Sequence, residues 1–258
     1  MISWRSRQQF KYFFLVSALL LIAGVAGLFF YVNTPGSCSD GTQNNDELGV
    51  DCGGSCARLC ASEVSAVITH WARAFPVRDA LYDAAALIEN PNFDAGVRAV
   101  SYSFKLYDAK NLLVGERTGK TYLNPGERFV LYENGISARS GANAPQRTFF
   151  EFTGEIVWET TDAPREQEVI SRDTGFFPAP PPGAPKVTTT LVNRSAKDLE
   201  NLEVVALLFD AEENVSDISK TTVLRLAAGE TQSVTLLLSP DSAAPARIEI
   251  FPHRNMFE

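Results

Sequence analysis

The stretch from Val97 to Asp108 reads VRAVSYSFKLYD, and its alternation constrains the fold more than any other feature of the chain. Val100, Tyr102, Phe104 and Leu106 alternate with Ser101, Ser103 and Lys105. Side chains of a strand point to opposite faces with a period of two. Four apolar groups therefore share one face and small polar groups the other. Asp108 then opens a turn, DAKN. About a hundred residues later the pattern returns as LEVVALLFD, Leu202 to Asp210, followed by the turn AEEN. Other landmarks recur at a similar offset, allowing one-residue insertions: TTTLVNRS answers AAALIENP, AAGETQSVTLLL answers LNPGERFVLYEN, and APARIEI answers APQRTFF. Such a repeat predicts two copies of one small domain.

The 258 residues are enough for one large domain or two small ones. Phe13 to Val32 is a run of twenty residues without a charge. At about 1.5 Å per residue it makes a helix roughly 30 Å long, the thickness of a bilayer's hydrocarbon. Arg5, Arg7 and Lys11 precede it and no Lys or Arg follows closely. The positive-inside rule then places residues 1–12 in the cytoplasm and everything beyond Asn33 outside. A cleaved signal peptide is the rival reading, but its apolar region is usually about 7–15 residues long and ends at a small-residue cleavage site. Here the run is longer and the exit reads FFYVNTPGSC. Ala23 and Gly27, four apart, are either ordinary small residues of a lipid-facing helix or, less favoured, a place where a second helix approaches closely.

The net charge is −8, and the only charges in the first twelve residues are basic, so the body beyond them is more acidic still. Phosphate backbones are bound by Lys and Arg displacing counterions, so nucleic acid is excluded as a partner. All four cysteines, Cys38, Cys52, Cys56 and Cys60, lie in one stretch, CSDGTQNNDELGVDCGGSCARLC. Outside the membrane they are expected as disulfides, with three pairings open. So short a stretch cannot build a core and needs covalent staples or an ion. Asp40, Asn44, Asp46, Glu47 and Asp51 supply the hard oxygens that Ca²⁺ takes, which makes calcium the candidate ion. The same residue types also make turns with no ion at all.

The string DG-x-QN-x-x-E-x-G-x-DCGG-x-C, over about twenty residues, resembles a small cysteine module of secreted and surface-anchored bacterial proteins. That resemblance implies placement in a bacterial envelope and no reaction. From Ser62 to Asp162 short apolar runs alternate with turn signals: Glu63–Ile68, Ala84–Ile88, the signature strand, Thr121–Leu123, Arg128–Tyr132 and Thr148–Trp158. In NPGE, Pro125 and Gly126 suit a type II turn. Short strands at this spacing predict an immunoglobulin-like sandwich. The segment Tyr82 to Tyr132 resembles the FxLYD-type domain of prokaryotic surface proteins through Phe104, Leu106, Tyr107 and Asp108. In that family these positions are structural, so the resemblance implies no catalytic role.

The expected organisation is all-β. It runs as a cytoplasmic tail (1–12), a transmembrane helix (13–32), a cysteine-rich module (33–61), a first sandwich (62–162), a proline-rich linker (163–185) and a second sandwich (186–258). One difference between the copies is telling: on the outward face of the signature strand, Ser103 and Lys105 of the first become Val205 and Leu207 in the second. An apolar stripe there should be covered by the first domain, the proline segment or a partner. Val205 and Leu207 are therefore the candidate interaction face.

Reaction chemistry is sparse. His70 and His253 stand beside apolar residues, and there is no GxSxG elbow. GERTGKT, Gly115 to Thr121, has three residues between its glycines where a phosphate loop has four, and it falls in a hairpin. Asp79 and Asp83 would matter only if they lined a cleft. The sequons Asn193-Arg-Ser195 and Asn214-Val-Ser216 are short enough to arise by chance. The expectation is a non-catalytic, membrane-anchored protein that presents its sandwiches to other envelope proteins or surface polymers. The alternatives are an accessory subunit of a secretion or pilus-like assembly and, less favoured, a hydrolase.

Overall fold

The structure is a computed structural model that describes residues 4–33, 37–139, 143–161, 168–180 and 183–257. Residues 1–3 of the expected tail, the helix exit 34–36 and the boundary segment 162–167 lie outside the described residues. The chain divides into two compact units, Met1–Cys56 and Ala57–Glu258.

The first unit opens with helix α1 (Trp4–Asn33). Within it Gln8–Phe29 has a mean hydropathy of 2.4 and is long and apolar enough to cross a membrane. A signal sequence near an amino terminus passes the same test. Leu19, Leu20, Leu21 and Ile22 are consecutive and all exposed. At about 3.6 residues per turn they cover every side of the helix, so it has no polar face to lay on a bilayer surface.

The second unit is all-β. Its first sandwich uses β1 (Ile68–Arg78), β2 (Leu81–Glu89), β3 (Ala95–Tyr107), β4 (Leu113–Leu123), β5 (Arg128–Ser137), β6 (Arg147–Phe152) and the short β7 (Glu159–Thr160). One sheet runs β1-β2-β5 and the other β4-β3-β6, with β7 paired to the start of β3. The second sandwich uses β8 (Val169–Phe177), β9 (Lys186–Asn193), β10 (Leu199–Phe209), β11 (Val215–Leu226), β12 (Thr231–Leu237) and β13 (Arg247–His253). Its sheets run β12-β9-β8 and β11-β10-β13. Counted from the start of each copy, strands one, two and five face strands four, three and six. The repeat in the sequence is thus a repeat of topology, with β3 and β10 in the same central place. The turns after them match as well. Asp108 Oδ1 accepts the amides of Lys110 and Leu112 at 2.8 and 2.9 Å, and Asp210 Oδ1 accepts those of Glu212 and Asn214 at 3.0 and 2.8 Å.

Several boundaries differ from the sequence reading, among them that of β4, which begins at Leu113 where only Thr121–Leu123 was expected. The strand expected at Glu63–Ile68 starts only at Ile68. The strand expected over Thr148–Trp158 stops at Phe152, because Gly154 takes φ +129°, a conformation open only to glycine. The expected linker 163–185 contains β8, paired antiparallel to β9 and anchored by the buried Val169. Ser171, Arg172, Asp173 and Thr174 make this edge strand too polar to stand out as a strand. The connector is confined to the proline-rich part beyond Phe177.

The first core lies between the two sheets of the first sandwich, with Ala84, Ala86 and Ile88 of β2 facing Phe104 and Leu106 of β3. Leu202 and Val204 belong to the core of the second, as do Ala206 and Leu208. A further cluster joins the sandwiches. It brings Phe75, Ala85 and Val130 of sheet β1-β2-β5 against Val205, Leu207, Phe209, Ile218 and Phe251 of sheet β11-β10-β13. Four sheets therefore stack in one body, and the middle two are apolar on both faces. LEVVALLF reads as an unbroken apolar run for that reason.

Candidate functional site

Most of the candidate site residues fall in the cysteine module. Cys38 bonds to Cys56, and Cys52 and Cys60 are also disulfide-bonded. No described cysteine is a free thiol. The acids serve the turns. Asp51 Oδ1 accepts the amide of Asp40 at 2.8 Å, and its two oxygens accept that of Gly41 at 3.1 and 3.0 Å. Asp40 Oδ1 accepts the amide and hydroxyl of Thr42 at 2.9 and 2.7 Å, and its Oδ2 accepts Asn44 Nδ2 at 2.9 Å. Glu47 Oε2 accepts the amide of Asn44 at 3.2 Å, and Asp46 Oδ1 the hydroxyl of Ser55 at 2.8 Å. The Thr42 hydroxyl and the Asn44 amide hold the Asp40 carboxyl down to about 2. Among the described residues, the single cluster of three His, Cys, Asp or Glu ligand atoms within 4.8 Å joins Glu47 to Cys38 and Cys56. Those two sulfurs are spent on each other, and a disulfide sulfur is not the thiolate that metals take. The structure thus brings Asp40, Asn44, Asp46, Glu47 and Asp51 into one knot of turns, with no three of the four carboxylates within 4.8 Å of one another.

Val205 and Leu207 are 1% and 0% exposed and lie in the seam between the sandwiches. Their covering is the first domain of the same chain. Polar contacts rim this seam. The hydroxyl of Tyr132 donates to Asp83, whose other oxygen accepts the amide of Gly135 at 2.9 Å. Burial, reinforced by the Asp83 carboxylate, pushes the Tyr132 phenol well above its ordinary range. Lys220 lies over the Tyr132 ring at 5.7 Å and bonds to Glu203 at 3.1 Å. Asp83 is therefore a seam residue, and Asp79 stands in the tight β1–β2 turn at φ +44°. GERTGKT lies wholly within β4.

The second junction was not visible in the sequence. His253, 4% exposed, is held face to face between Tyr122 and Phe129, with ring centroids 4.3 and 4.2 Å away. Its Nδ1 is 3.0 Å from Glu127 Oε2. The chain beyond it returns to the first sandwich. Asn124 Nδ2 donates to Arg254 O at 2.7 Å, and the amide of Met256 donates to Asn124 Oδ1 at 3.2 Å. Arg98 stacks over the Phe257 ring at 5.1 Å. Gly96 makes room for that ring, since a Cβ there would stand 2.6 Å from it. Beside this latch opens a cleft of about 650 Å³, lined by the turn Asn124–Arg128, by Glu168, Val169 and Ser171, and by Ile248 to Pro252. Glu168 is taken by Arg254 at 2.9 Å. His70, the other histidine, is 2.8 Å from Glu89 on the first sandwich.

No family model matches the chain, and no curated protein does. Among solved structures, the crystal structure of red sea bream transglutaminase is 11% identical over 73% of this chain, with a TM-score of 0.21. The chain covers 29% of that protein. At that score the likeness carries no argument about fold or reaction.

Proposed function

We propose that the chain is a non-catalytic envelope protein, anchored by its apolar helix, that holds two fused sandwiches outside the membrane as a surface for protein or polymer contact. The observation that carries this reading is the pairing of an all-round apolar helix with a module whose cysteines are all oxidised. Disulfides persist in extracytoplasmic compartments and are rare in the cytosol. The basic residues Arg5, Arg7 and Lys11 orient the amino terminus inward. Resemblance to the bacterial cysteine module and the FxLYD-type domain supports the same address. Both histidines are engaged with carboxylates, His70 with Glu89 and His253 with Glu127, which suits a structural role for each.

The fused seam favours presentation over hinge motion. A large apolar interface suppresses the relative movement that tandem domains otherwise show. The test is protease added to intact cells, followed by detection of the carboxyl-terminal half. Digestion from outside, together with retention of the full chain in the membrane fraction, is the expected result. A carboxyl-terminal half sheltered within intact cells overturns the reading. Crosslinking of the full chain in native membranes then identifies what it contacts.

A further inference from the structure

Strand β13 pairs with β10 on one side, and among the described residues no strand pairs with its other edge. Pro252 decides which of its backbone groups face outward. It stands opposite Val204 and has no N–H, so that pair cannot exchange both hydrogen bonds. The bonded pairs are then Phe251 with Val205 and Glu249 with Leu207. The first sandwich shows the same parity: beside the pair of Tyr102 and Phe152, the amide of Thr153 donates to Ser101 O at 2.8 Å. The N–H and C=O of Ile248 and Ile250, and the C=O of Pro252, therefore point away from β10. All five residues from Ile248 to Pro252 line the 650 Å³ cleft. Unpaired main-chain groups along a strand edge are a template for another main chain.

We propose that this cleft receives an extended segment of a partner protein, which adds to β13 as the fourth strand of its sheet. The proposal rests on the contact reading given above and names its site. The edge selects an extended backbone, because only that spacing matches donors and acceptors two residues apart. Charge selects more. Glu168 is held by Arg254, Glu127 by His253 and Glu249 by Arg247. Arg128 is the lining charge that forms no ion pair among the described residues, so a carboxylate on the incoming segment has its counterion waiting. Val169 and Met256 line the same cleft and suit alternate apolar side chains.

The test uses the full chain in detergent micelles and three labelled nine-residue peptides. One alternates valine with threonine around a central glutamate. The second carries lysine in place of that glutamate, and the third carries prolines at alternate positions. Fluorescence anisotropy reads binding. The glutamate peptide is expected to bind best and the proline peptide not at all. Ile250→Pro removes an outward N–H while leaving the bonds to β10, and loss of one hydrogen bond should weaken binding about five-fold. Arg128→Glu should reverse the order of the glutamate and lysine peptides. Ser171→Trp, at an exposed position of β8, should fill the cleft and abolish binding without altering any residue of β13, which covers the case in which Ile250→Pro does not fold. Failure of the glutamate peptide at millimolar concentration overturns the proposal. So does binding indifferent to both Arg128→Glu and Ser171→Trp. If the peptides fail while native crosslinks form elsewhere, the docking site falls and the contact reading stands. If the peptides bind while the carboxyl-terminal half proves sheltered inside cells, the reverse holds.

Discussion

Asn90 and Asn193 occupy the same place in the two sandwiches and make the same bonds. Asn90 Nδ2 donates to the carbonyls of Ala95 and Asn124 at 2.8 and 2.9 Å. Asn193 Nδ2 donates to those of Lys197, Leu226 and Ala227 at 2.8, 3.0 and 2.9 Å. Their own amides donate to Glu127 O and Glu230 O, both at 2.9 Å. Each asparagine thus staples the end of the second strand to the turn before the fifth. Asn193 is 1% exposed, and its Oδ1 accepts both the amide and the hydroxyl of Ser195. The sequon Asn193-Arg-Ser195 is therefore the trace of a buried clasp, whose nitrogen is unavailable for a glycan in the folded chain.

Asn193→Ala should cost about 1–3 kcal/mol, because it leaves buried carbonyls without donors. Asn90→Ala should cost a similar amount. Urea unfolding monitored by tryptophan fluorescence measures both. Ser195→Ala should cost less, since the asparagine keeps its three carbonyls.

Leu207 is fully buried in the seam, so Leu207→Ala should lose about 2–5 kcal/mol. Leu207→Lys should do more than destabilise. A charge placed between the middle sheets has no partner there, and separation of the sandwiches relieves it. Calorimetry of the full chain should then resolve two transitions, where the native chain is expected to lose both sandwiches in one. A single unchanged transition would mean that the seam contributes little.

Much of this was legible in the chain, and the limits have physical causes. Alternation in VSYSFKLY gave away β3, and its absence in LEVVALLF marked a strand covered on both faces. The matching surface was hidden because Ala85, Val130 and Phe75 come from three strands, and no period along a chain reports such a patch. Strand β8 was missed because its central residues are polar and its edge is solvated. In the module, an acid that accepts amides and an acid that binds calcium are spelled alike. Asp40 and Asp51 are turned towards backbone N–H groups, which the residue types alone do not report. The latch at His253 depends on stacking between Tyr122 and Phe129, which the sequence places more than a hundred residues upstream.

The Asp40 carboxyl, held at about 2 by Thr42 and Asn44, has a lower value folded than its ordinary 3.8. The sign follows: its contribution is present above the unfolded value and is lost as pH falls from about 4 towards 2. Asp40→Asn removes that dependence, so the two chains should differ most near neutrality and converge by pH 2. Melting of the module followed by amide exchange of Gly41 and Thr42 reads it. Chelator should leave the same amides unchanged if their acceptors are only turn carboxylates. Faster exchange on adding chelator would restore a calcium ion to the module.

Cys38→Ser opens an interval of 18 residues closed by the bond to Cys56. Closure of a loop of this size is worth about 3 kcal/mol in the chain-entropy account. The module has too little apolar content to hold without it, so its amides should exchange freely. The seam residues belong to a separate compact unit, and the melting of the sandwiches should change far less.

His253 separates two contributions that usually travel together. Its ring stacks on Tyr122 and Phe129, and stacked aromatic pairs are worth about 0.5–1.5 kcal/mol each. Its Nδ1 meets Glu127, but Nε2 is buried with no partner among the described residues. An orphaned ring nitrogen opposes folding by the cost of stripping its water. His253→Phe keeps both stacks, loses the bond to Glu127 and removes the orphan, so its stability should stay within about 1 kcal/mol of the native chain. His253→Ala loses the stacks as well and should cost about 2–4 kcal/mol, with the tail from Arg254 to Phe257 released from Asn124 and Arg98. Hydrogen exchange at the Met256 amide, which bonds to Asn124, reports that release directly. Equal losses in the two variants would show that the Glu127 bond, and not the stacking, holds the carboxyl-terminal segment to the first sandwich.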